Sequence, residues 1–117
     1  MGVKENGVLK HGIELKTLVS NKAGKITMKR SARERKDKWE KESGGTFHTV
    51  VLDDQGVYNA LGEGKHDESK RKMYYRRGHG SFRVNSMHPV KSIKELHALM
   101  RMGEDQLPTA ARRVPFE

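Results

Sequence analysis

The chain has 117 residues, with 24 lysines and arginines, 15 aspartates and glutamates and no cysteine, which gives a formal net charge of +9. This length favours one domain with a modest core, and the absence of cysteine excludes disulfide bonds and thiolate metal sites. The excess of positive charge indicates a polyanionic partner, with nucleic acid ahead of a membrane or an acidic protein, although a merely soluble basic surface has the same composition.

The positive charge is concentrated in two segments. Residues 25–41 hold eight lysines and arginines against three acids, and residues 65–83 hold seven against two. No segment approaches the roughly 18 apolar residues of a membrane span, and the opening residues lack the apolar stretch of a secretion signal. We therefore expect a cytoplasmic protein that is not secreted and has no membrane partner.

The first predicted element is a strand over residues 13–19, entered through the short apolar arm of residues 8–9. Strand side chains alternate between two faces, so Ile13 and Leu15 are expected on a buried face and Glu14 and Lys16 together on the other. A carboxylate and an ammonium group side by side indicate either a solvated edge or part of an active site.

A basic helix is predicted next. Ser31 and Glu34 have the spacing of a capping box, and Gly44 provides a stop, although the helix could begin as early as Met28. Its few apolar residues and its oppositely charged pairs at i,i+4 spacing are typical of a largely solvated helix.

The strongest strand signal is TFHTVVL, residues 46–52, which ends at the turn DDQG, and VYNAL could return as its partner. Further along, KMYYRR and SFRVNSM flank the turn GHG and predict a hairpin. A second capping box, Ser92 with Glu95, precedes a helix whose apolar face ends before Gly103.

These elements together predict an α/β fold, in which a small mixed sheet is flanked by two main helices. We expect one domain over residues 1–105, followed by an irregular, loosely docked tail over residues 106–117.

The motif Glu-x-Lys occurs four times, and the occurrences differ in the predicted element in which they lie. The four pairs are Glu14–Lys16, Glu34–Lys36, Glu63–Lys65 and Glu68–Lys70. The second pair falls in the charged helix and the last two in a polar loop. Only the first lies on a predicted strand with apolar residues around it, which is where a rigid active site is built.

Here the sequence resembles a known family. GIELKT, the basic helix and TFHTVVLDD resemble the strand–helix–strand centre of the PD-(D/E)xK nuclease superfamily. With NKAGKITM and YYRRGHGSFRVNSM, the chain is similar to nuclease-like domains of phage head-morphogenesis proteins, over about residues 8–100. The resemblance implies a restriction-endonuclease-like core and a Mg²⁺- or Mn²⁺-dependent endonuclease that hydrolyses nucleic-acid phosphodiesters, with DNA favoured over RNA. It also implies a homo-oligomer or phage-particle component in the host cytoplasm.

The resemblance assigns roles to the strand-borne pair. Glu14 would bind the metal together with the Leu15 carbonyl, and Lys16 would orient the water or stabilise the phosphate. The family pattern has an acidic residue on the preceding strand. The only acid upstream of Glu14 is Glu5, which we expect to reach across a hairpin as a catalytic residue and metal ligand, with Asp53 or Asp54 as the alternative.

Six basic residues are candidates for phosphate binding. They are Lys29, Arg30 and Arg33 at the start of the basic helix, and Arg76, Arg77 and Arg83 beside the aromatic residues of the predicted hairpin.

Three other functions fit the same residues. His48 and His79, with the nearby arginines, supply the groups of a metal-free ribonuclease, although we expect His48 to be a hydrogen-bonded sheet residue, His79 to be exposed, and the six histidines to lie apart. A catalytically silent nucleic-acid-binding module and a structural or assembly protein of a phage particle are the remaining alternatives.

Overall fold

The computed structural model describes residues 2–5, 8–17, 25–26, 30–54, 71–79 and 82–113. A mixed five-stranded sheet lies at the centre of these residues. Its strands, in spatial order, are β1 (Gly2–Glu5), β2 (Val8–Thr17), β4 (Thr46–Asp53), β5 (Lys72–Arg77) and β7 (His88–Val90). A separate two-stranded sheet pairs β3 (Lys25–Ile26) with β6 (Phe82–Arg83). The two helices are α1 (Arg30–Ser43) and α2 (Ile93–Arg101).

The centre of the sheet is a parallel pair of strands joined through a helix. β2 and β4 run parallel, with Glu14 opposite Thr49, and α1 connects them along the chain. The other neighbouring strands of this sheet are antiparallel. The prediction of a small mixed α/β sheet with two main helices is therefore confirmed.

One face of the sheet carries the main core. Strand partners point to the same face, so Val50, Tyr75 and Val90 meet the apolar side of α2. The other buried members of this core are Leu96, Leu99, Met100, Leu107 and Ala111. Ile13 packs against the core from β2, but Leu15 is 48 % exposed. The expectation that Leu15 is buried is wrong, because the core residues of the sheet lie on β4, β5 and β7.

The predicted helix boundaries agree with the structure at three of four ends. Ser92 caps α2, where its Oγ accepts a hydrogen bond from the Glu95 backbone N–H at 3.1 Å. α1 ends at Gly44, whose φ of +70° suits a residue without a Cβ. α1 begins at Arg30, so Ser31 lies inside the helix and the capping box predicted there is wrong.

The predicted hairpin around GHG is also wrong. β5 pairs with β4 on one side and with β7 on the other, whereas β6 pairs with β3 in the second sheet. The apolar residues of SFRVNSM do not form a hairpin strand. Val84 and Met87 instead pack with Val51 and Tyr74 in a smaller cluster. The predicted partner strand VYNAL lies outside the described residues.

The C-terminal segment, predicted to be a loosely docked tail over residues 106–117, packs onto the domain as far as it is described, to Arg113. Leu107 is 2 % exposed and Ala111 is fully buried. Short 3-10 turns over Glu104–Gln106 and Thr109–Ala111 bring these two side chains onto the sheet. Residues 106–113 are therefore an integral part of the domain, since removing them would open its core.

Candidate functional site

Glu14 and Lys16 form an ion pair on β2. The Lys16 Nζ lies 3.2 Å from the Glu14 Oε1. Their partners on β4 are Thr49 and Val51, so the pair points to the sheet face opposite the main core. The short side-chain distance follows from the two-residue repeat of a strand.

A second lysine reaches the same carboxylate from α1. The Lys36 Nζ donates a hydrogen bond to the Glu14 Oε2 at 3.0 Å. Burial alone would raise the pKa of Glu14, but the hydrogen bonds and charges of Lys36 and Lys16 outweigh it and lower that pKa. Glu14 is therefore ionised at neutral pH, with one ammonium group on each of its oxygens.

Phe47 forms the apolar floor next to this cluster. The Lys36 ammonium lies 4.7 Å from the centroid of the Phe47 ring, and Trp39 meets the ring edge-on. Gly12 makes room for the ring, because a Cβ at Gly12 would lie 2.7 Å from the Phe47 Cδ2. A glycine on β2 is thus what allows Phe47 to occupy this position.

His79 also packs against the Phe47 ring. Its ring centroid lies 4.8 Å from that of Phe47, and the residue is 3 % exposed. In a regular strand His79 would share the face of Arg77, but Gly78 has a φ of +80° and breaks the alternation. The expectation that His79 is exposed is wrong, because this turn folds it inward.

Neither ring nitrogen of His79 has a hydrogen-bond partner among the described residues. Its pKa is lowered to about 3, by burial first and then by the charges of Lys36, Lys16 and Arg33, while Glu14 acts in the opposite direction. The imidazole is therefore neutral at neutral pH and lies within electrostatic reach of the whole cluster. Buried polar groups are nearly always hydrogen-bonded, so an unpartnered histidine beside these charges points to a functional site.

The backbone that carries His79 is held in place from three sides. The Gly78 N–H donates to the Phe47 carbonyl at 2.8 Å, and the Thr49 hydroxyl donates to the Gly78 carbonyl at 2.8 Å. Arg113 covers Gly78, where a Cβ would lie 3.0 Å from the Arg113 Cγ. Arg113 is fixed in turn by two hydrogen bonds of 2.8 Å to the Glu40 carboxylate of α1. These contacts pre-organise the histidine relative to α1.

We call Glu14, Lys16, Lys36 and His79, with Phe47 as their floor, the Glu14 cluster. It combines a carboxylate, two ammonium groups and a neutral imidazole on one face of the sheet. Cations of this kind bind a phosphate, and an imidazole can take up or supply a proton.

The backbone of Glu5 lies away from the strand position of Glu14. The antiparallel register places Glu5 opposite Val8, six residues before Glu14 on β2. At roughly 3.3 Å per residue this separates their strand positions by about 20 Å. This backbone register does not favour the expectation that Glu5 reaches across the hairpin to serve with Glu14 as catalytic acid and metal ligand, which stays a prediction.

The alternative acids at the end of β4 lie elsewhere as well. Asp53 is four residues beyond Thr49, the strand partner of Glu14, and Asp54 accepts a hydrogen bond from the Arg71 Nε. The described residues contain no group of three or more histidine, aspartate or glutamate side chains placed to hold a metal ion. Leu15, expected to offer its carbonyl, is paired with Val50 in the parallel ladder. The described surroundings of Glu14 therefore do not fit the predicted Mg²⁺ or Mn²⁺ site.

The basic candidates are distributed over several surfaces. Arg30 is exposed and pairs with Glu34 at 3.3 Å, and Arg33 is half-buried on α1 with its charge acting on His79. Arg83 is exposed on β6. Lys29 lies outside the described residues.

Arg76 and Arg77 have structural partners. Arg76 donates to the Arg112 carbonyl at 2.9 Å, and burial lowers its pKa. Arg77 is 4 % exposed, and its guanidinium donates to the Tyr75 hydroxyl and to two backbone carbonyls near the end of α2. The prediction that Arg77 contacts phosphate is corrected, because the residue is buried and its Nε and Nη2 donate within the fold.

Two histidines that are far apart in sequence lie together in the structure. The His11 Nδ1 is 3.0 Å from the His48 Nε2, and the His48 Nδ1 is 2.6 Å from the Tyr75 hydroxyl oxygen. His48 is a hydrogen-bonded sheet residue, as predicted, but the expectation that no histidines pair is wrong. Only the alignment of β2 with β4 could reveal this pair.

Comparison with known protein families, curated proteins and solved structures finds no match to this chain. Among the described residues, no helix combines the length and apolar character needed to cross a bilayer.

Proposed function

We propose that this chain binds nucleic acid at the Glu14 cluster and cleaves a phosphodiester bond there, with RNA as its substrate. The observation that supports this proposal best is the convergence of Lys16 and Lys36 on Glu14, near the buried His79. The ring nitrogens of His79 have no hydrogen-bond partner in the part of the chain that the structure describes. Such a site offers positive charge for a phosphate and a group that moves protons.

RNA suits these residues because it carries its own nucleophile. In the proposed step the 2′-oxygen attacks phosphorus as the O2′–P bond forms and the P–O5′ bond breaks. Burial is the largest cause of the low pKa of His79, so the step requires substrate binding to uncover the ring first. The uncovered His79 takes the proton of the 2′-hydroxyl, and an ammonium group of the site gives a proton to the departing 5′-oxygen. Lys16 and Lys36 stabilise the charge on the phosphorane oxygens. The products are a 2′,3′-cyclic phosphate and a 5′-hydroxyl.

Glu14 has a positioning role in this proposal. It holds the two ammonium groups close together while the site is empty of substrate, and the phosphate would then compete for the same donors. Because His79 is buried in the free chain, the proposal requires the residues that cover it to move when substrate binds.

A second candidate is metal-dependent hydrolysis centred on Glu14 and Lys16, with DNA as the substrate. It is favoured by the position of this pair on β2 of the parallel strand–helix–strand unit. It requires a further acidic ligand from outside the described residues, since both Glu14 oxygens already accept from lysines.

The experiment compares cleavage of labelled RNA, single-stranded DNA and duplex DNA with EDTA, Mg²⁺ or Mn²⁺. We expect RNA cleavage that persists in EDTA. Lys36→Gln should lower turnover by about 100-fold or more, as loss of a transition-state donor does. The matched control is Lys38→Gln on the same helix, whose exposed ammonium pairs with Glu42 and should not affect turnover.

Two results would redirect the proposal. Cleavage of DNA only with Mg²⁺ or Mn²⁺ would establish the second candidate instead. Salt-sensitive binding with no cleavage of any substrate would overturn both catalytic proposals and leave a silent nucleic-acid-binding module or a phage structural protein.

A further inference from the structure

One side of α2 is exposed and carries positive charge without a carboxylate. The buried residues Leu96, Leu99 and Met100 face the core. The exposed residues lie on the opposite side, which we call the outer arc of α2: Ile93, Lys94, His97, Ala98 and Arg101. Lys94 and Arg101 are seven residues apart. They therefore lie about two turns apart and within about 20° of each other around the helix.

The cations of the outer arc are not neutralised by the acid of their own helix. Neither Lys94 nor Arg101 has an ion-pair partner in the part of the chain that the structure describes. Glu95 lies at the edge of the buried side instead. Its Oε2 accepts a hydrogen bond from the Lys91 N–H at 3.0 Å, and its Oε1 lies 3.8 Å from the His88 Nε2.

Two further acids follow the end of α2. The Glu104 Oε1 accepts a hydrogen bond from the Arg113 backbone N–H at 3.0 Å, so this carboxylate is already used. The Asp105 carboxylate lies beside Gly103, where an added Cβ would be 3.0 Å from its Oδ1. Neither acid lies on the helix, so the outer arc keeps its positive charge.

The basic helix α1 has a different arrangement, in which exposed acids accompany the cations. Arg30 pairs with Glu34 at 3.3 Å, and Lys38 pairs with Glu42 at 3.8 Å. Such pairs at i,i+4 spacing support a helix that faces only water. The outer arc of α2 has no pair of this kind.

Helix stability does not account for Lys94 either. The helix dipole favours acids in the first turn and cations in the last turn. Arg101, in the last turn, agrees with this rule, but Lys94 is the second residue of the helix and opposes it. An exposed charge that lowers stability is typical of a residue kept for binding.

We propose that the outer arc of α2 is a second RNA-binding surface, which holds the sugar-phosphate backbone away from the position that is cleaved. Lys94 and Arg101 complement the charge of the phosphates, and each contacts one of them. The inference takes its ligand from the proposed function, but it concerns binding and does not depend on cleavage.

The two binding surfaces lie on opposite sides of the sheet. α2 packs on the face that carries Val50, whereas Glu14 and its strand partner Thr49 point to the other face. A helix is about 10 Å thick, so the outer arc and the Glu14 cluster are separated by more than that distance. One RNA molecule reaches both surfaces only by passing around an edge of the sheet. The second surface therefore favours long substrates.

The test is fluorescence anisotropy over a range of salt concentrations, with a labelled RNA of about sixteen nucleotides, the upper end of single-strand site sizes. Lys94→Gln and Arg101→Gln should each reduce the salt slope by about one, and the double variant by about two. The matched control is Lys38→Gln, because its exposed ammonium is already paired with Glu42 and its loss should leave the slope unchanged.

Two further measurements separate binding from structure and from chemistry. Lys94→Glu should raise the midpoint of thermal unfolding, since an acid in the first turn suits the helix dipole, yet weaken RNA binding more than Lys94→Gln does. The double variant should raise the KM for the long RNA at unchanged kcat, and leave cleavage of an RNA of about four nucleotides unaffected.

The outcomes distinguish this inference from the proposed function. If the double variant binds RNA like the wild type while Lys36→Gln weakens binding, the α2 surface is refuted and the proposed function stands. If the double variant weakens binding and Lys36→Gln does not, the α2 surface stands and the Glu14 cluster fails as an RNA site. A wild-type protein that binds no RNA would overturn both. In that case, loss of polyglutamate binding in the double variant would assign the outer arc to an acidic protein instead.

Discussion

Replacing His79 with leucine should stabilise the protein while abolishing cleavage. The ring is buried and neither nitrogen has a partner among the described residues. An unsatisfied buried polar group costs about 1–3 kcal/mol, and leucine of similar volume removes that cost. We expect the free energy of unfolding at pH 7.5 to rise by about that amount. A residue that lowers stability but supports activity is typical of a functional site.

The stability difference should also grow as the pH falls. The pKa of His79 is lowered to about 3 in the folded chain from an ordinary value of 6.5, through burial first and then the nearby lysines. Between these values the unfolded chain takes up a proton that the folded chain does not, so wild-type stability is lost as pH falls below about 6.5. At pH 5 this loss is about 2 kcal/mol for one histidine. The His79→Leu variant lacks this titrating group, so it does not lose this stability at low pH.

Urea denaturation followed by circular dichroism at pH 7.5, 6 and 5 measures both effects. Carboxylates titrate in wild type and variant alike, so the difference between the two proteins isolates His79. His97→Gln, an exposed histidine on α2, is the control and should track the wild type. A His79→Leu variant that is less stable than wild type at pH 7.5, with a gap that does not change at pH 5, would refute this account of His79.

Three further predictions test other parts of the structure. Gly12→Ala should lower the free energy of unfolding by about 1–3 kcal/mol in urea denaturation, because its Cβ would lie 2.7 Å from a carbon of the Phe47 ring; unchanged stability would contradict this packing. Arg77→Ala should lower the free energy of unfolding by at least about 3 kcal/mol in the same measurement, since three hydrogen bonds of a buried guanidinium are lost. The exposed Arg83→Ala should stay within about 0.5 kcal/mol of wild type, and equal effects of the two substitutions would contradict the structural role of Arg77. In fluorescence anisotropy, RNA affinity should drop by orders of magnitude between about 50 and 200 mM salt, and Lys36→Gln should reduce the salt slope by about one, whereas a flat response would exclude phosphate binding.

The sequence predicts the local elements well where hydrophobic pattern and capping chemistry agree. TFHTVVL is a central strand, and Ser92 caps α2 as its spacing to Glu95 indicates. The pairing of Glu14 with Lys16 also follows from strand periodicity alone. These features depend on residues within a few positions of one another, so no knowledge of the tertiary fold is needed.

The features that the sequence could not predict depend on contacts between distant segments. Lys36 joins Glu14 only because α1 crosses over the parallel strands, and the His11–His48 contact needs the register of β2 on β4. The position of His79 depends on one backbone angle at Gly78, which the letters GHG do not specify. The burial of Arg77 could not be predicted from the sequence, because strand alternation does not reveal which face of the sheet a helix will cover.

The nature of the RNA ends produced in EDTA tests the central claim most directly. The Glu14 cluster is proposed to use the 2′-hydroxyl as nucleophile, so wild-type protein should release fragments ending in a 2′,3′-cyclic phosphate and a 5′-hydroxyl. The same RNA with a single 2′-deoxy sugar at the cleavage position should bind but stay intact. Fragments with a 5′-phosphate that form only when Mg²⁺ or Mn²⁺ is added, or cleavage at the 2′-deoxy position at the same rate, would contradict the account.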